Sequence, residues 1–394
     1  MFDFSSASKT MRVLHLTSGN LFGGIETMLL TLDRQAPCCP QMQPAFAACF
    51  EGRLTQELRE AGAPVWMLGE VRTSRPWTVV RARRKLSEVL IQERFDVVLA
   101  HGSWPHAIFA PAARKAGLPV VFWAHGPMAG QHWLERWARR TRPDLVIANS
   151  HFTAASLSTL WSAIPMEVVY CPVAAPVAGA PRAVRREVRE RMEVSEDALV
   201  ILQASRMEAW KGHTLLLQAL ERLGDLTQWV CWIAGGAQRP AEARYLKELQ
   251  AEAKRRKINA RVRFLGQRSD VPQLLAASDI LCQPNLGPEP FGIAFIEALY
   301  AGRPVVTTAL GGALEIVNAD CGILVPPENV PALADSLRAL LTDPSKRGNL
   351  GAAGPARARA LCAPQCALDQ LYGLIAKLSQ ISPRRRGDAE NGMQ

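Results

Sequence analysis

The sequence predicts an α/β protein made of two doubly wound, Rossmann-like domains in tandem. Short apolar runs alternate with helical patterns almost throughout the 394 residues, which is typical of parallel sheets covered by helices on both faces. The alternation stops once, at Cys171–Ala183, a stretch rich in Pro, Ala and Gly that predicts a linker. The length also fits about two domains.

The first alternating series predicts a domain over residues 11–172, preceded by an N-terminal extension at 1–10, with Met11 as an alternative start. Its predicted strands are Arg12–Leu16, Ala45–Phe50, Pro64–Leu68, Asp96–His101, Val120–Ala124, Leu145–Ala148 and Glu167–Tyr170. Its predicted helices are Glu26–Asp33, Val80–Glu93, Pro105–Ala116, Gln131–Arg140 and Ala154–Trp161.

The second series predicts a domain over residues 184–365, after a linker at 173–183. Its predicted strands are Leu199–Ala204, Trp229–Ala234, Val262–Leu265, Ile280–Gln283, Val305–Thr308 and Ile323–Val325. Its predicted helices are His213–Leu223, Ala241–Arg256, Val271–Ala277 and Gly292–Tyr300. A last helix near Ala367–Ser379, within residues 366–382, precedes a polar tail at 383–394 that we expect to be disordered.

The composition bears on the kinds of partner and on the cellular compartment. Lys and Arg total 46 and Asp and Glu total 36, a net charge of +10, which favours anionic partners such as nucleic acid, anionic lipid or phosphorylated small molecules. Solubility is the alternative explanation, and the net charge alone does not choose between them. Nine scattered cysteines form no zinc-ligand pattern and fit a reducing, cytoplasmic compartment. No apolar run reaches the roughly 18 residues of a membrane span.

Two cations follow the first strand of the second domain. Arg206 and Lys211 lie just beyond Leu199–Ala204, and Gly212 then opens a helix. Ligands of doubly wound sheets bind at the carboxyl ends of strands, and a planar guanidinium beside an ammonium suits a diphosphate. A solvated basic loop is the alternative.

A second loop, Pro284–Phe291, leads into the helix that begins near Gly292. Glycine permits close approach of the backbone there. The free amides of Gly292, Ile293 and Ala294, together with the helix dipole, predict an anion site.

Two glutamates flank this helix start. Glu297 lies in the apolar run of the helix and Glu289 in the loop before it. Behind a bound phosphate, Glu297 can accept hydrogen bonds from both ribose hydroxyls of a nucleotide, and Glu289 can reach hydroxyls on the far side of the phosphates. A capping or paired core glutamate is the alternative for Glu297.

The spacing of these glutamates, E-P-F-G-x-x-x-x-E, resembles the EX7E motif of retaining GT-B glycosyltransferases, and more narrowly of glycosyltransferase family 4. The further matching segments are Arg206–Gly212, Ala234–Gly236, Val262–Gly266, Asp270, Asp279, Gly311–Val317 and Gly322–Pro326. The resemblance covers nearly all of the second domain. It implies the GT-B fold, in which two Rossmann-like domains face a central cleft and the last helix returns to the first domain.

The first domain matches the family less sharply. The loop containing Gly23 and Gly24 resembles the family's G-G-x-E loop, which approaches donor phosphate and acceptor. For Glu26, a tight turn with its carboxylate favourably placed at a helix start is the favoured alternative. His125, after a strand, resembles the family's histidine beside the reacting sugar, with His101 as a second candidate.

The resemblance implies sugar transfer from a nucleoside-diphosphate sugar to a glycan or lipid-linked acceptor, with retention of anomeric configuration, in cell-surface polysaccharide or glycolipid synthesis. Arg206, Lys211 and the Gly292 helix start would stabilise the leaving diphosphate. Glu289 and His125 would contact the sugar, Glu297 the ribose, and the leaving phosphate would act as base. No cofactor and no metal are expected, because fixed cations replace the metal ion. A sugar-nucleotide epimerase and a non-catalytic nucleotide-sugar sensor remain alternatives.

One segment suggests a membrane surface. Basic and aromatic residues mix over Gln131–Arg142, and a basic amphipathic helix can lie on anionic lipid. A surface helix with its tryptophans in the core is the alternative. We expect a cytoplasmic protein, peripheral at the inner face of the membrane if the first interpretation holds. Nucleic acid is not an expected partner, because the basic residues are dispersed and no known binding module is present.

Overall fold

The computed structural model describes residues 10–157, 160–176 and 181–381. They form two compact units, one ending at Ala174 and completed by the C-terminal helix, the other comprising Ala175–Ala363. The predicted tail at 383–394 and nearly all of the predicted extension at 1–10 lie outside the described residues.

The first unit contains a seven-stranded parallel sheet. Its strands are β1 Met11–Thr17, β2 Met42–Ala48, β3 Val65–Met67, β4 Val97–His101, β5 Val120–Ala124, β6 Leu145–Ala148 and β7 Met166–Val168. Its helices up to the linker are α1 Gly24–Arg34, α2 Arg53–Glu60, α3 Pro76–Glu93, α4 Ser103–Lys115, α5 Trp133–Ala138 and α6 His151–Leu157. The strand order β3-β2-β1-β4-β5-β6-β7 reverses direction between β1 and β4, and such a reversal is where doubly wound sheets bind ligands.

The second unit repeats this plan with six parallel strands. They are β8 Leu199–Ala204, β9 Trp229–Ala234, β10 Val262–Gly266, β11 Ile280–Gln283, β12 Val305–Thr308 and β13 Gly322–Val325. The helices are α7 Pro181–Arg191, α8 His213–Glu221, α9 Pro240–Arg255, α10 Val271–Ala277, α11 Ile293–Tyr300, α12 Ala313–Ile316, α13 Val330–Thr342 and α14 Pro344–Cys362. The order β10-β9-β8-β11-β12-β13 reverses between β8 and β11.

Each sheet is buried because its strands are short apolar runs. In the second unit, Ile201, Cys231, Ile280 and Val306, from four neighbouring strands, lie in one core cluster and are fully buried. Strands buried on both faces have few side chains free for ligands. The loops at their carboxyl ends therefore supply the chemistry.

The last helix, α15 Pro364–Ile381, belongs to the first unit although the second unit precedes it. It packs beside α1 and the short 3-10 turn Ala36–Cys38. Gln370 Nε2 also donates to the Val168 carbonyl at 2.9 Å.

Helix α7 begins inside the segment predicted to be a linker, and the sequence analysis missed it. Its Arg189 is fully buried and donates from Nη2 to Asp279 Oδ2 at 2.7 Å, while Arg185 Nη2 reaches the other oxygen of Asp279 at 2.8 Å. Val200 N donates to the same carboxylate at 2.7 Å. Charged tertiary contacts therefore hold a helix that has few apolar residues of its own.

Several predicted boundaries shift for local reasons. Helix α6 begins at His151, not Ala154, because Ser150 Oγ accepts from Thr153 N at 3.0 Å and caps the helix. Strand β2 ends at Ala48, not Phe50, because the amides of Cys49 and Phe50 turn to the Ser18 carbonyl. Strands β8, β9, β11 and β12 have the predicted bounds.

Candidate donor site

The two predicted cations lie in the loop after β8, and each is paired with a carboxylate. Arg206 Nη2 donates to Glu208 Oε1 at 2.6 Å, and Trp210 Nε1 donates to Glu208 Oε2 at 3.1 Å. Lys211 Nζ lies 4.0 Å from the Trp210 ring centroid. A solvated basic loop does not describe this arrangement, since the Lys211 side chain is only 13% exposed.

Glu289 gathers three donors on one oxygen. Its Oε2 accepts from Lys211 Nζ at 2.7 Å, from Asn285 Nδ2 at 2.9 Å and from Gln283 Nε2 at 3.0 Å. We call Lys211, Gln283, Asn285 and Glu289 the donor cluster. No partner of Glu289 Oε1 occurs in the described part of the chain. That oxygen keeps its acceptor capacity for a ligand.

The donor cluster is fixed by backbone contacts. Thr307 Oγ1 donates to the Gln283 carbonyl at 2.8 Å, and Thr308 Oγ1 donates to the Asn285 carbonyl at 2.7 Å. The loops after β8 and β11 also meet directly, because Leu286 N donates to the Trp210 carbonyl at 2.7 Å. The cluster therefore lies beside the β8/β11 reversal of the second sheet.

Gly292 has a φ of +108° at the start of α11, a backbone conformation that favours glycine. A Cβ there would lie 2.3 Å from the Phe295 ring. The first amides of a helix have no acceptor within it, and no described residue outside the helix accepts from Ile293 N or Ala294 N. The anion site at these amides stays a prediction, and the structure shows only that the amides are not paired within the described residues.

Glu297 lies deeper along the same helix and is half-buried. Burial raises the pKa of its carboxyl to about 7. Within residues 181–381, no cation or hydrogen-bond donor contacts that carboxylate. The alternative of a paired or capping core glutamate is therefore not what the second unit shows.

In the first unit, Gly23 is the N-cap of α1 and Gly24 its first residue, whereas the helix was predicted to begin at Glu26. Glu26 Oε2 accepts from Gly23 N at 2.9 Å, so its carboxylate lies at the helix start, which was the favoured alternative for this residue. His125 follows β5 and its Nε2 lies 2.9 Å from His101 Nδ1. The two candidate histidines are therefore hydrogen-bonded neighbours. They lie at the carboxyl ends of β4 and β5, close to the β1/β4 reversal.

The predicted basic helix is shorter than expected. Helix α5 covers only Trp133–Ala138 because the His132 side chain caps it, accepting from Leu134 N at 3.3 Å. Trp133 is 49% exposed and stacks on Trp137 with 6.2 Å between centroids, while Trp137 packs against the core. Each tryptophan thus fits one of the two interpretations.

The described residues lack two further features, a metal-ligand cluster and a membrane-spanning helix. They contain no group of three or more His, Cys, Asp or Glu side chains placed to hold a metal ion. None of their helices has the length and apolar character needed to cross a membrane.

Two family models match the chain in tandem. The model described as Glycosyltransferase Family 4 matches residues 23–175, and the model described as Glycosyl transferases group 1 matches residues 184–357. Both units are thus similar to glycosyltransferases of family 4 and group 1. Each match corresponds to one of the two units, and similarity to solved glycosyltransferase structures supports the GT-B fold.

Several named relatives extend the comparison. The chain is 31% identical over 280 residues to a D-inositol 3-phosphate glycosyltransferase of Xylanimonas cellulosilytica, covering 68% of this chain but only 64% of the relative's length. It is also 27% identical to a mannosyltransferase of Corynebacterium glutamicum, the GDP-mannose-dependent monoacylated alpha-(1-6)-phosphatidylinositol monomannoside mannosyltransferase. That match covers 70% of this chain and 74% of the relative's length. The crystal structure of Anabaena HepE in complex with UDP-glucose superposes with a TM-score of 0.81, at 25% identity, covering 93% of this chain and 100% of that one.

Sequence reasoning missed three residues of these sites. Gln283, the last residue of β11, and Asn285 hold Glu289, and His15 of β1 lies 2.9 Å from His101. The signal for Gln283 was a polar residue ending a buried apolar strand. His15 carried a similar signal, as an imidazole between Leu14 and Leu16 in a strand predicted to be buried.

Proposed function

We propose that the chain is a retaining glycosyltransferase, transferring a sugar from a nucleoside-diphosphate sugar to a glycan or lipid-linked acceptor in cell-surface polysaccharide or glycolipid synthesis. The observation that carries this proposal is the donor cluster beside the free amides of α11, at the β8/β11 reversal. Two similar proteins support it, since one is a GDP-mannose-dependent mannosyltransferase and the other is solved in complex with UDP-glucose.

In this proposal, Arg206 and Lys211 bind the diphosphate and stabilise it as it leaves. Both cations are already held by carboxylates, so a diphosphate would share Arg206 with Glu208 and Lys211 with Glu289. Charge-assisted bonds from Arg and Lys to phosphate are strong, and the amides of Gly292, Ile293 and Ala294 would add the field of the helix dipole. Fixed positive charge of this kind does the work of a metal ion, so we propose metal-independent transfer.

Glu297 is proposed to bind the ribose. A half-buried carboxylate without a partner is unfavourable in the ligand-free protein. Two hydroxyl donors would stabilise its charged form and lower its raised pKa. Ribose binding would thus offset the unfavourable burial of the unpaired Glu297 carboxylate in the ligand-free second unit.

Glu289 is proposed to contact the donor sugar through Oε1, while Oε2 stays with the donor cluster. His125 of the first unit is proposed to contact the same sugar, and the G-G loop at Gly23 and Gly24 to approach the phosphates. No side chain is assigned as nucleophile. The oxygen of the departing phosphate would take the acceptor's proton as the new bond forms on the same face.

The acceptor is proposed to be a glycan or a lipid-linked molecule. Exposed Trp133 and the basic residues around it favour a lipid-linked acceptor. An interfacial tryptophan and nearby arginines are the features by which a peripheral protein contacts anionic lipid. A cytoplasmic enzyme at the inner membrane face would meet such an acceptor.

The proposal is tested by a thermal-shift screen of nucleoside diphosphates and their sugars. A ligand at 100 times its Kd should add roughly 2.7 kcal/mol of stability. Lys211→Ala should lose this stabilisation, whereas Lys247→Ala, which removes an exposed charge on α9, should keep it. If no nucleoside diphosphate or sugar derivative stabilises the wild-type chain, the proposal is wrong.

A further inference from the structure

Three histidines of the first unit form a continuous hydrogen-bonded row. His15 Nδ1 lies 2.9 Å from His101 Nε2, and His101 Nδ1 lies 2.9 Å from His125 Nε2. Neighbouring rings are nearly parallel, with interplanar angles of 19° and 23°. We call these three residues the histidine row.

The row follows from the sheet. His15 lies in β1, His101 ends β4 and His125 follows β5, and these strands are hydrogen-bonded neighbours. The row therefore runs across the β1/β4 reversal toward the carboxyl edge. Phe46 stacks on His15, and Trp123 packs against His101 and His125, which holds the ring planes in place.

The three rings are neutral. Burial lowers the pKa of His15 and His125 to about 3 and that of His101 well below its usual value. A neutral imidazole carries one N–H and one acceptor nitrogen. Each N···N contact needs one proton, so the tautomers of all three rings must change together.

Only two proton arrangements satisfy both contacts. Either every ring carries its proton on Nδ1, or every ring carries it on Nε2. The arrangements differ at the two ends of the row, His15 Nε2 and His125 Nδ1.

The surroundings of His15 Nε2, the buried end of the row, favour one of the two proton arrangements. His15 Nε2 is buried and has no partner among the described residues. An orphaned buried N–H is rarer in proteins than an under-satisfied acceptor. The arrangement with every proton on Nδ1 places only a lone pair at His15 Nε2, and it makes His125 Nδ1 an N–H donor. That nitrogen makes no hydrogen bond to a described residue, and His125 is only half-buried.

We propose that His15 and His101 are positioning residues that hold His125 in its Nδ1-protonated form, so that it donates a hydrogen bond to an oxygen of the donor sugar. This inference rests on the proposed function, in which His125 contacts that sugar. It adds that His125 can only donate, not accept, a hydrogen bond toward the ligand. It also adds that this direction is set by His15, at the other end of the row. Neither positioning histidine needs to touch the ligand.

The test is a ¹H–¹⁵N correlation spectrum of the histidine rings in the full chain without ligand, with His125 assigned by comparison with His125→Gln. We expect a protonated Nδ1 and an unprotonated Nε2 on His125. His15→Phe removes the end of the row while keeping an aromatic ring. In that variant the His125 nitrogens should move toward the average of both tautomers.

The matched control is His106→Phe. His106 is another fully buried histidine of this unit, bonded to the Thr141 carbonyl and outside the row. Its replacement should leave the His125 signals unchanged. This control separates loss of the row from the general effect of replacing a buried imidazole by a benzene ring.

Two results would overturn the inference: a wild-type His125 protonated on Nε2, or a folded His15→Phe variant with wild-type His125 signals. If His15→Phe does not fold, the wild-type spectrum decides alone. All spectra are of ligand-free protein. If no nucleoside-diphosphate sugar binds, the proposed function is wrong, but the tautomer measured for His125 in the ligand-free protein still stands.

Discussion

Glu297 is a half-buried carboxylate without a protein partner, and its raised pKa has a consequence for stability. The unfolded chain ionises this residue near its ordinary value of 4.5, the folded chain only near 7. Between these values the folded state binds more protons than the unfolded state, so stability falls as pH rises. Below pH 4 both states are protonated and the effect vanishes.

Glu297→Gln should therefore match the wild type in stability at pH 4 and exceed it at pH 8. Since one pKa unit corresponds to about 1.4 kcal/mol, we expect a gain of roughly 1–3 kcal/mol at the higher pH. Urea unfolding of both proteins at the two pH values measures it. A difference that is the same at pH 4 and pH 8 would mean that Glu297 does not titrate as described.

Replacing Glu289 and replacing Glu297 should affect different ligands. Glu289→Ala frees Lys211 from its 2.7 Å ion pair, so affinity for a bare nucleoside diphosphate should be unchanged or higher. Turnover of the full donor should fall, because contacts to the sugar matter most in the transition state.

Glu297→Ala should instead weaken both ligands, since a lost hydrogen bond to a charged group costs about 1.5–3 kcal/mol. Calorimetric titration of both variants with both ligands measures this contrast. The opposite pattern would exchange the two roles, and equal losses throughout would indicate that both residues are structural.

The sequence was informative at this scale where residue type and position agreed. Arg206, Lys211, Glu289 and Glu297 could be selected because charged residues at strand ends and in an apolar helix need a reason. Their pairing could not be predicted. That Lys211 binds Glu289, 78 positions later, depends on two strands lying side by side in the folded sheet.

Among the structural elements, the contact between the loops after β8 and β11 depends on Gly212. Its φ is +74°, and a Cβ there would lie 1.7 Å from the Pro284 carbonyl oxygen. Gly212→Ala should push the two loops apart, lowering the thermal midpoint and abolishing stabilisation by donor. The strain of a left-handed alanine alone is roughly 1–2 kcal/mol, and the clash adds to it.

The matched control is Gly266→Ala, since Gly266 has a φ of +67° with no atom within 4 Å of its Cβ position. It should cost only the backbone strain and keep the response to donor. Thermal unfolding of both variants, with and without nucleoside-diphosphate sugar, gives the comparison. Equal behaviour of the two variants would show that the loop contact does not shape the site.

Helix α5 has an exposed face that should bind anionic lipid. The wild type should sediment with anionic liposomes at low salt and dissociate at high salt, because charge attraction to a surface is screened. Replacing Arg136, Arg139 and Arg140 together by Gln should abolish sedimentation. The same number of charges removed from α9 (Arg244, Lys247 and Lys254) should not. Unchanged binding of the α5 variant would favour an acceptor that is not lipid-linked.

Element prediction succeeded where a strand is a short apolar run and failed where tertiary contacts decide. Strands β8, β9, β11 and β12 were predicted at their observed bounds for the first reason. Helix α7 was missed because its stability comes from Arg189 and Asp279, which are 90 residues apart. Helices α2, α13 and α14 were also missed. Half of the residues of α2 are charged, and α14 contains Pro355 and several glycines, which usually interrupt helices.

At the scale of the whole molecule, the chain uses one plan twice. Each unit places its chemistry beside the strands where the sheet order reverses, with a histidine row in the first unit and the donor cluster in the second. Doubly wound sheets generally bind ligands at such reversals, so the alternating pattern predicts where each site should lie. It does not predict the sugar, the nucleotide base or the acceptor, because they depend on loop shapes that vary within one fold.

The most direct test of the account is release of nucleoside diphosphate from a panel of donors, including UDP-glucose and GDP-mannose, in the presence of excess EDTA. Wild type and Lys247→Ala should release it from at least one donor. Lys211→Ala should be slower by about 100-fold, since loss of one charge-stabilising group costs roughly 3 kcal/mol. Release that requires added divalent metal, or an unimpaired Lys211→Ala, would contradict the claim that fixed cations of the second unit carry the reaction.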